Sequence, residues 1–588
     1  MNYPIWDLQG SGLLIAIVSI VHVFVSHFAV GGGLFLVLAE RKARRDNDPA
    51  LLGFVRYLSR FFILLTLVFG AITGVGIWFA ITLVSPWATA SLINTFVWGW
   101  AIEWTFFLTE IAAAMVYYYG WDRLPARTHV VVGWIYFWAA WLSLVIINGI
   151  LSYMLTPGAW LEDRGFWSGF FNPTYFPSLF ARTFAAIGLA GLYAVFTAGF
   201  LRDPRLKRTV ARWAGTWWVL PTVVALPLSL AWYFAAASSA GVPVAEIFGS
   251  GSAGFLSIVA SAFGPLPGAG YPMAQRALRV ALAAMAFALV VTLFVLFVRN
   301  ERYGRVSGTL LMLAGLLAIG GAEWVREDLR KPWLIGRHMF VNGVRLPPRD
   351  AAPKPPEGFP SDRYTVEALN ASGVLAASPW ARLPAGYTPG ALTAEAMDPK
   401  RLIEMEVAAG REVFRLQCFA CHSYDRYNGI DKLVKGKSSS TIEGILGRLA
   451  RPVNAKGEAA AWTDPELALK TWRDRMMPPF VGTAAEARAL SVFLATLGGG
   501  TVEAAAAPAT GPPSGAKLFE DNCAMCHAPE SDFPMANYLK GQGADAFYEA
   551  IGRLPELNEL MPPFEGTDAE RRVLAEYLAG LGQPAGAR

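Results

Sequence analysis

Charge is what this chain of 588 residues most lacks. Asp, Glu, Lys and Arg make up 16% of it against 54% hydrophobic residues, where an ordinary soluble domain carries about a quarter charged residues. That scarcity excludes a water-soluble protein over the whole length. The deficit is uneven: residues 1–330 hold 15 acids and 22 bases, which leaves 30 of the 45 acids and 28 of the 50 bases for the last 258 residues. The first part is net +7 and the tail net −2, so the overall +5 comes from loops between apolar runs and not from a nucleic-acid-binding face. Nucleic acid is excluded as a partner. Cysteine is nearly as scarce. All 4 lie in two Cys-x-x-Cys-His units, at 418–422 and 523–527, leaving none for a disulfide framework or a thiol nucleophile.

What is abundant is apolar sequence. Eight runs, each able to cross the roughly 30 Å hydrocarbon core as a helix, are read at 11–39, 53–84, 94–120, 129–154, 176–201, 213–237, 273–298 and 307–325. The first has neither a basic n-region nor a small-residue cleavage site and is expected to be retained. Basic residues cluster in alternate loops: Arg41, Lys42, Arg44, Arg45 and Arg56; Arg123 and Arg127; Arg202, Arg205, Lys207, Arg208 and Arg212; Arg299, Arg302 and Arg305. Those loops are assigned to the cytoplasm. The N-terminus and, after eight crossings, the tail are then expected outside.

The tail repeats itself. GREVFRLQCFACH at 410–422 aligns without gaps on GAKLFEDNCAMCH at 515–527, and MPPFVGTAAEARALSVFLATLG at 477–498 on MPPFEGTDAERRVLAEYLAGLG at 561–582. Two thiols spaced by two residues can form thioethers to the two vinyl groups of a haem, while the adjacent His gives one axial nitrogen and a distant Met the other. Zinc or a redox dithiol would leave the following His and the later Met-Pro-Pro-Phe unexplained. The pattern resembles class I cytochromes c over about 405–498 and 510–582. It implies two covalent c haems, at Cys418, Cys421, His422 and Met477 and at Cys523, Cys526, His527 and Met561. Met476 adjoins Met477 as a rival ligand, but the gapless repeat sets Met477 opposite Met561. Such haems are attached outside the cytoplasmic membrane, in agreement with the charge pattern.

The expected fold is all-α, a polytopic bundle of eight transmembrane helices followed by two small helical cytochrome c domains. Its parts are a membrane domain at 1–335, a Pro-rich linker with an unassigned stretch at 336–404, the first c domain at 405–498, a linker at 499–514 and the second c domain at 515–588.

Ionisable residues inside apolar runs point to function, because they are costly there. His22 and His27 lie in the first run, Glu103 and Glu110 in the third, Arg182 in the fifth, and Glu323 and Glu327 at the end of the eighth. Five residues apart on a helix, His22 and His27 point about 140° apart and cannot face one iron. Glu103 and Glu110 share a stripe about 10.5 Å long, which suits a proton relay or a ligand with a supporting partner. Gly31, Gly32 and Gly33 allow either the approach of a large flat ring or close helix packing.

VHVFVSHFAVG at 21–31, AIEWTFFLTE at 101–110, GWDRLPARTH at 120–129 and EWVREDLRKPW at 323–333 resemble subunit I of cytochrome bd quinol oxidases, over about 1–335. The resemblance implies that His22 is the axial ligand of the oxygen-site haem, Glu103 the glutamate beside it and Glu327 the ligand of a neighbouring b haem. It places Trp324 near the path between haems and Arg330 near propionates, and matches His129 to a family histidine, although its place at a cytoplasmic helix start points to a structural role. The chain also departs from the family. Arg182 stands where a histidine ligand of the quinol-side haem is expected, Ala281 where its methionine is expected, and Arg is no haem ligand. Glu246 is the only charged residue of the loop 238–272, His27 is extra, Glu110 comes one residue early and a ninth span is missing.

The expected protein is a multihaem respiratory oxidoreductase of a bacterial inner membrane with its c domains in the periplasm. It passes electrons from a soluble cytochrome c or copper protein through two c haems to two non-covalent haems of b or d type, reducing dioxygen, beside a subunit II-like partner. The alternative is a non-catalytic haem wire linking quinol and a carrier inside a larger complex.

Overall fold

The computed structural model describes residues 8–264, 272–294, 305–346, 364–383, 387, 398–449, 477–503, 514–527, 534–539, 542–557, 561, 564 and 566–581. The chain divides into two compact units, one built on Gly12–Gly343 and the other on Pro355–Arg588 with Val344–Pro347.

The first unit is helical. Its elements are α1 (Ser11–Arg45), α2 (Pro49–Leu64), α3 (Ala71–Val84), α4 (Pro86–Thr95), α5 (Val97–Tyr119), α6 (Ala126–Tyr153), α7 (Trp160–Asp163), α8 (Phe166–Phe170), α9 (Tyr175–Ala198), α10 (Pro204–Ala214), α11 (Leu220–Ser239), α12 (Val244–Ile247), α13 (Phe255–Phe263), α14 (Pro272–Leu293) and α15 (Arg305–Arg330). An antiparallel pair, β1 (Trp333–Ile335) and β2 (Met339–Phe340), follows. The entries of α2 and α10 share one device, an Asp before a Pro. Asp48 accepts from Leu51 N at 3.0 Å and Asp203 from Arg205 N at 2.9 Å, and the Pro loses nothing at a position whose N–H has no helical partner. Single π-turns at Leu65–Gly70 and Gly215–Val219 join α2 to α3 and α10 to α11 without a break.

Among the described residues seven helices, not eight, are long and apolar enough to span a membrane: Ser11–Arg45, Pro49–Val84, Ala126–Tyr153, Tyr175–Ala198, Pro204–Ser239, Met273–Leu293 and Arg305–Arg330. The run expected at 94–120 is α5, whose 23 residues suffice in length, but Glu103, Glu110 and its Trp and Tyr residues lower its mean hydropathy. It nevertheless runs antiparallel to α6 along its length. Gly99 lies against Ile150, Ser143 Oγ donates to Glu103 Oε1 at 2.9 Å, and His129 Nε2 meets Tyr117 O at 2.8 Å.

The basic stretches gather at one end of the bundle. Arg56 is paired with Asp122 at 2.8 Å, the Phe35 ring lies 5.1 Å from Trp213, and the Arg305 guanidinium sits 5.1 Å from the Phe200 ring. Opposite them lie the short helices and the β pair, with Gly336 N donating to Met154 O at 2.8 Å and Arg337 to Gly241 O at 3.0 Å.

The second unit contains α16 (Val366–Ser372), α17 (Val374–Ala377), α18 (Pro399–Gln417), α19 (Asp431–Val434), α20 (Ser439–Leu449), α21 (Ala484–Gly498), α22 (Gly515–Asn522), α23 (Ala524–His527), α24 (Ala544–Gly552), α25 (Leu554–Leu557) and α26 (Asp568–Leu581). The sequence repeat is a structural repeat. A methyl on Gly410 would overlap Ala489 O and press on Phe493 Cβ, and one on Gly515 would overlap Tyr577 Cβ and approach Val573 O. These are equivalent positions, so α18 crosses α21 as α22 crosses α26. The stretch left unassigned, 336–404, holds β2, α16 and α17 and the start of α18; the Pro-rich part at 347–360, most of the linker at 499–514, and Met476 lie outside the described residues.

Candidate functional site

In the first c module, α18 ends at Gln417 and the chain turns tightly, with Cys421 N and His422 N both donating to Cys418 O at 3.0 and 2.8 Å. Asn428, in left-handed backbone (φ 51°), closes the loop. Its side chain donates to Cys421 O at 2.8 Å, and its carbonyl lies 3.1 Å from His422 Nδ1. A carbonyl only accepts, so Nδ1 carries the proton and Nε2 keeps the lone pair. Burial holds the His422 imidazole below its ordinary pKa, hence neutral. Burial, with Cys421 beside it, pushes the Cys418 thiol up to about 12. Cys418 and Met477 both pack on the apolar cluster of Phe414, Phe419 and Phe493. Two thiols, a neutral imidazole with one free nitrogen and a thioether around an apolar cluster fit a c-type haem.

The second module repeats the arrangement on α22, α23 and α26. Cys523 packs on a cluster of Leu518, Phe547 and Leu574, the His527 ring is 5.6 Å from Tyr538, and Met561 is half-buried. The Cys526 side chain lies outside the described residues. Met535 also packs on this cluster, but the repeat offset sets it opposite Ile430, a core residue of the first module.

In the membrane unit His22 faces α3. Its Nδ1 lies 2.9 Å from Thr73 Oγ1, and that hydroxyl donates to Phe69 O at 2.5 Å, inside the π-turn. The hydroxyl proton being spent, Thr73 accepts from Nδ1–H, and Nε2 has no hydrogen-bond partner among the described residues. A methyl on Gly74 would stand 3.2 Å from His22 Cε1, so the ring lies over bare backbone. One turn on, Trp78 packs on Trp100 at 4.7 Å, one turn before Glu103. This donor set fits a haem iron at Nε2. Glu103 and Glu110 lie on α5 as expected. Glu110 is 6% exposed, and no described residue hydrogen-bonds its carboxyl. His27 is buried and turned to its own helix, with Nδ1 2.6 Å from Val23 O.

Other expectations meet obstacles. The Glu327 carboxylate pairs with Arg330, and Arg330 Nη1 reaches Met154 Sδ at 3.2 Å. An iron at Glu327, or a propionate at Arg330, has to displace that pair, although the buried Nε of Arg330 has no partner. Trp324 is exposed on α15. Arg182 joins Glu323 at 3.1 Å, which also takes Arg326 at 2.7 Å. A methyl on Gly321 would lie 2.9 Å from Ala281 Cβ, so α14 and α15 touch there and leave no slot for a porphyrin. The residues at Arg182 and Ala281 do not fit a haem. Nor do Gly31, Gly32 and Gly33 admit a ring: methyls there would strike Ala186 O, the Phe62 ring and the Tyr136 ring.

Sequence reasoning passed over Glu40. It is fully buried and receives His129 Nδ1 at 2.9 Å, Tyr117 Oη at 2.8 Å and Arg44 at 2.7 Å. Both His129 nitrogens face oxygens, Nδ1 the Glu40 carboxyl and Nε2 the Tyr117 carbonyl, which ties α6 to α1 and α5. An acid at the end of a basic stretch carried no signal of this.

Comparison with known proteins agrees with the two-part design. Residues 11–266 match the family model of cytochrome bd terminal oxidase subunit I, and residues 511–578 that of cytochrome C oxidase, cbb3-type, subunit III. The first match ends before α14 and α15, which carry Ala281, Glu323 and Glu327. No curated protein matches the chain. Among solved structures, the bd oxidase from Geobacillus thermodenitrificans is similar at 16% identity and a TM-score of 0.39, covering 56% of this chain and 89% of that one. The chain carries a bd subunit I domain and a C-terminal cytochrome c domain, and is a membrane-embedded, haem-binding respiratory electron-transfer protein.

Proposed function

We propose that this protein is a bd-like oxygen reductase whose electrons enter through its c modules. A reduced soluble carrier, a cytochrome c or a copper protein, gives electrons at His422/Met477 and His527/Met561, and they pass to the membrane site at His22. Haem bound at His22 supplies the iron at which four electrons and four protons convert dioxygen to two waters. Thr73 holds the His22 proton on Nδ1, which leaves the Nε2 lone pair as the one that would ligate a haem iron. Glu103, tied to Ser143, and Glu110, whose carboxyl no described residue hydrogen-bonds, lie on one stripe of α5 and carry protons toward that centre. The observation that carries the reading is the His22 geometry, a half-buried imidazole with one nitrogen fixed by a hydroxyl and the other without a hydrogen-bond partner among the described residues.

Pairing of α5 with α6 supports eight crossings, which puts both chain ends on the side opposite the basic loops, the periplasmic side by charge. His22, Glu103 and Glu327 lie in the half of their helices nearest that side. The unit's exposed apolar faces, including Trp98, Trp104 and Leu108 of α5, are open to lipid and to a subunit II-like partner.

The closed contact at Ala281 and the Arg182–Glu323–Arg326 cluster favour a second reading, a haem wire without substrate chemistry, since a family haem position is filled by protein. The same filling argues against quinol as the direct donor there. Pyridine haemochrome quantification with a CO-difference spectrum separates the two readings. Two c haems with a CO-binding haem lost in His22→Ala support the reductase; membrane haems that are all six-coordinate and blind to CO leave the wire.

A further inference from the structure

We infer that residues 366–377 form a strap that positions the loop carrying Met477, so that the first c module keeps its axial methionine under conditions in which the second releases it. The inference rests on the reading of Met477 and Met561 as axial ligands.

Three consecutive backbone N–H groups downstream of Met477 are each held by a side chain. Val481 N donates to Gln417 Oε1 at 3.2 Å, and the same amide returns a bond from Nε2 to Val481 O at 2.7 Å. Gly482 N donates to Asn370 Oδ1 of α16 at 3.0 Å. Thr483 N donates to Glu486 Oε2 at 3.0 Å, half of the capping box that opens α21. The strap closes over that box. Val374 N and Leu375 N, at the start of α17, donate to the two oxygens of Glu486 at 3.0 and 2.8 Å. Glu486 is fully buried, and Gly373 (φ 86°) gives the backbone its approach, since a methyl there would lie 2.8 Å from Oε1. Hydrogen bonds from N–H to a carboxylate are the strong kind. The loop is thereby tied at its end to both α18 and the strap.

The second module lacks these ties among the described residues. Its capping box survives, with Thr567 N 2.6 Å from Glu570 Oε2, but Thr567 is exposed, Glu570 is only half-buried, and among the described residues Glu570 receives no bond except from Thr567. Asn522 replaces Gln417. One methylene shorter, it turns to Leu518 O of its own helix at 2.9 Å. The same repeat element is a fully buried anchor in one copy and, in the other, a half-buried helix cap that no other described segment bonds. Axial exchange requires the Met loop to swing away, and only the first copy must break the strap bonds to do so.

The test is an imidazole titration of the oxidised full-length protein in detergent, with axial ligation followed by electron paramagnetic resonance. Two phases are expected, and Met561→Ala should identify the weaker-held methionine by replacing the phase at lower imidazole with direct binding of imidazole to a high-spin haem. Val374→Pro removes one N–H at a first helical position, where Pro is tolerated, and should move the other phase about tenfold toward lower imidazole. Gln417→Asn, which copies the second module, should move it about threefold. Haem content and far-ultraviolet circular dichroism report whether each variant is folded; if Val374→Pro is not, Gln417→Asn decides. Equal imidazole affinity at both haems in the unaltered protein, or an unmoved phase in the folded variants, overturns the inference. Failure of Met477→Ala to convert one haem to high spin would instead overturn the ligand assignment beneath it.

Discussion

The two c modules come from one repeat and differ in how the repeat is finished. Each crosses its first and last helices at a glycine, and each opens its last helix with a Thr and Glu capping box. In the first, the capping glutamate is buried under a strap; in the second it is half-buried and, among the described residues, bonded only by Thr567. The comparison teaches that a motif conferring local helix stability can be recruited to a tertiary contact when another segment offers it backbone donors. That recruitment leaves two modules of one origin with differently anchored Met loops, on which the inference about their axial ligands rests.

The comparison breaks most sharply at that glutamate. Glu486→Ala removes the acceptor of three buried N–H groups and should lower the unfolding stability of the first module by about 3 kcal/mol, whereas Glu570→Ala should cost about 1 kcal/mol or less. Denaturant titrations followed at the Fe–Met charge-transfer band read both; equal losses would contradict the strap. At the shared crossing the modules should behave alike. Gly410→Ala and Gly515→Ala each drive a methyl into the facing helix and should each cost about 1–3 kcal/mol, measured the same way. The smallest effect concerns the contact between modules. Glu520 accepts from Thr441 at 2.6 Å and Ser438 at 2.7 Å. Burial raises its pKa, but these hydrogen bonds outweigh it and hold the carboxyl below its ordinary range. A depressed carboxylate contributes stability above its unfolded pKa and loses it as the pH falls through the folded value. Protease protection of the pair should therefore weaken slightly on acidification below the ordinary carboxylate pKa, and Glu520→Gln should remove that dependence.

Most of the molecule's plan is legible in the sequence, and the illegible parts share a cause. The haem-binding units announce themselves because Cys-x-x-Cys-His is short and its chemistry is covalent, and the repeat set Met477 apart from Met476. Long apolar helices announce themselves by length. The α5 helix falls short by simple hydropathy because Glu103, Glu110 and its aromatic rings are polar by that measure, although it pairs with α6 along its length. Contacts between distant segments are silent in the sequence. Glu40 and His129 are 89 residues apart, and α16 and α17 meet Glu486 more than 100 residues downstream. The glycines at 31–33 were ambiguous, since bare backbone suits a ring or a helix equally, and neighbouring side chains decided for helices. Arg182 and Ala281 were informative by being the wrong residues for ligation, and the ion pair at Glu323 gives Arg182 its role.

The central claim is that electrons reach the membrane haems through the tail. Stopped-flow reduction of the full-length protein tests it most directly, alongside a variant carrying Ser at Cys418, Cys421, Cys523 and Cys526. Each is offered a reduced soluble c-type carrier or a quinol analogue. The account predicts fast reduction of the membrane haems by the carrier in the unaltered protein, its loss in the variant and slow reduction by quinol in both. Fast quinol reduction in the variant would contradict it.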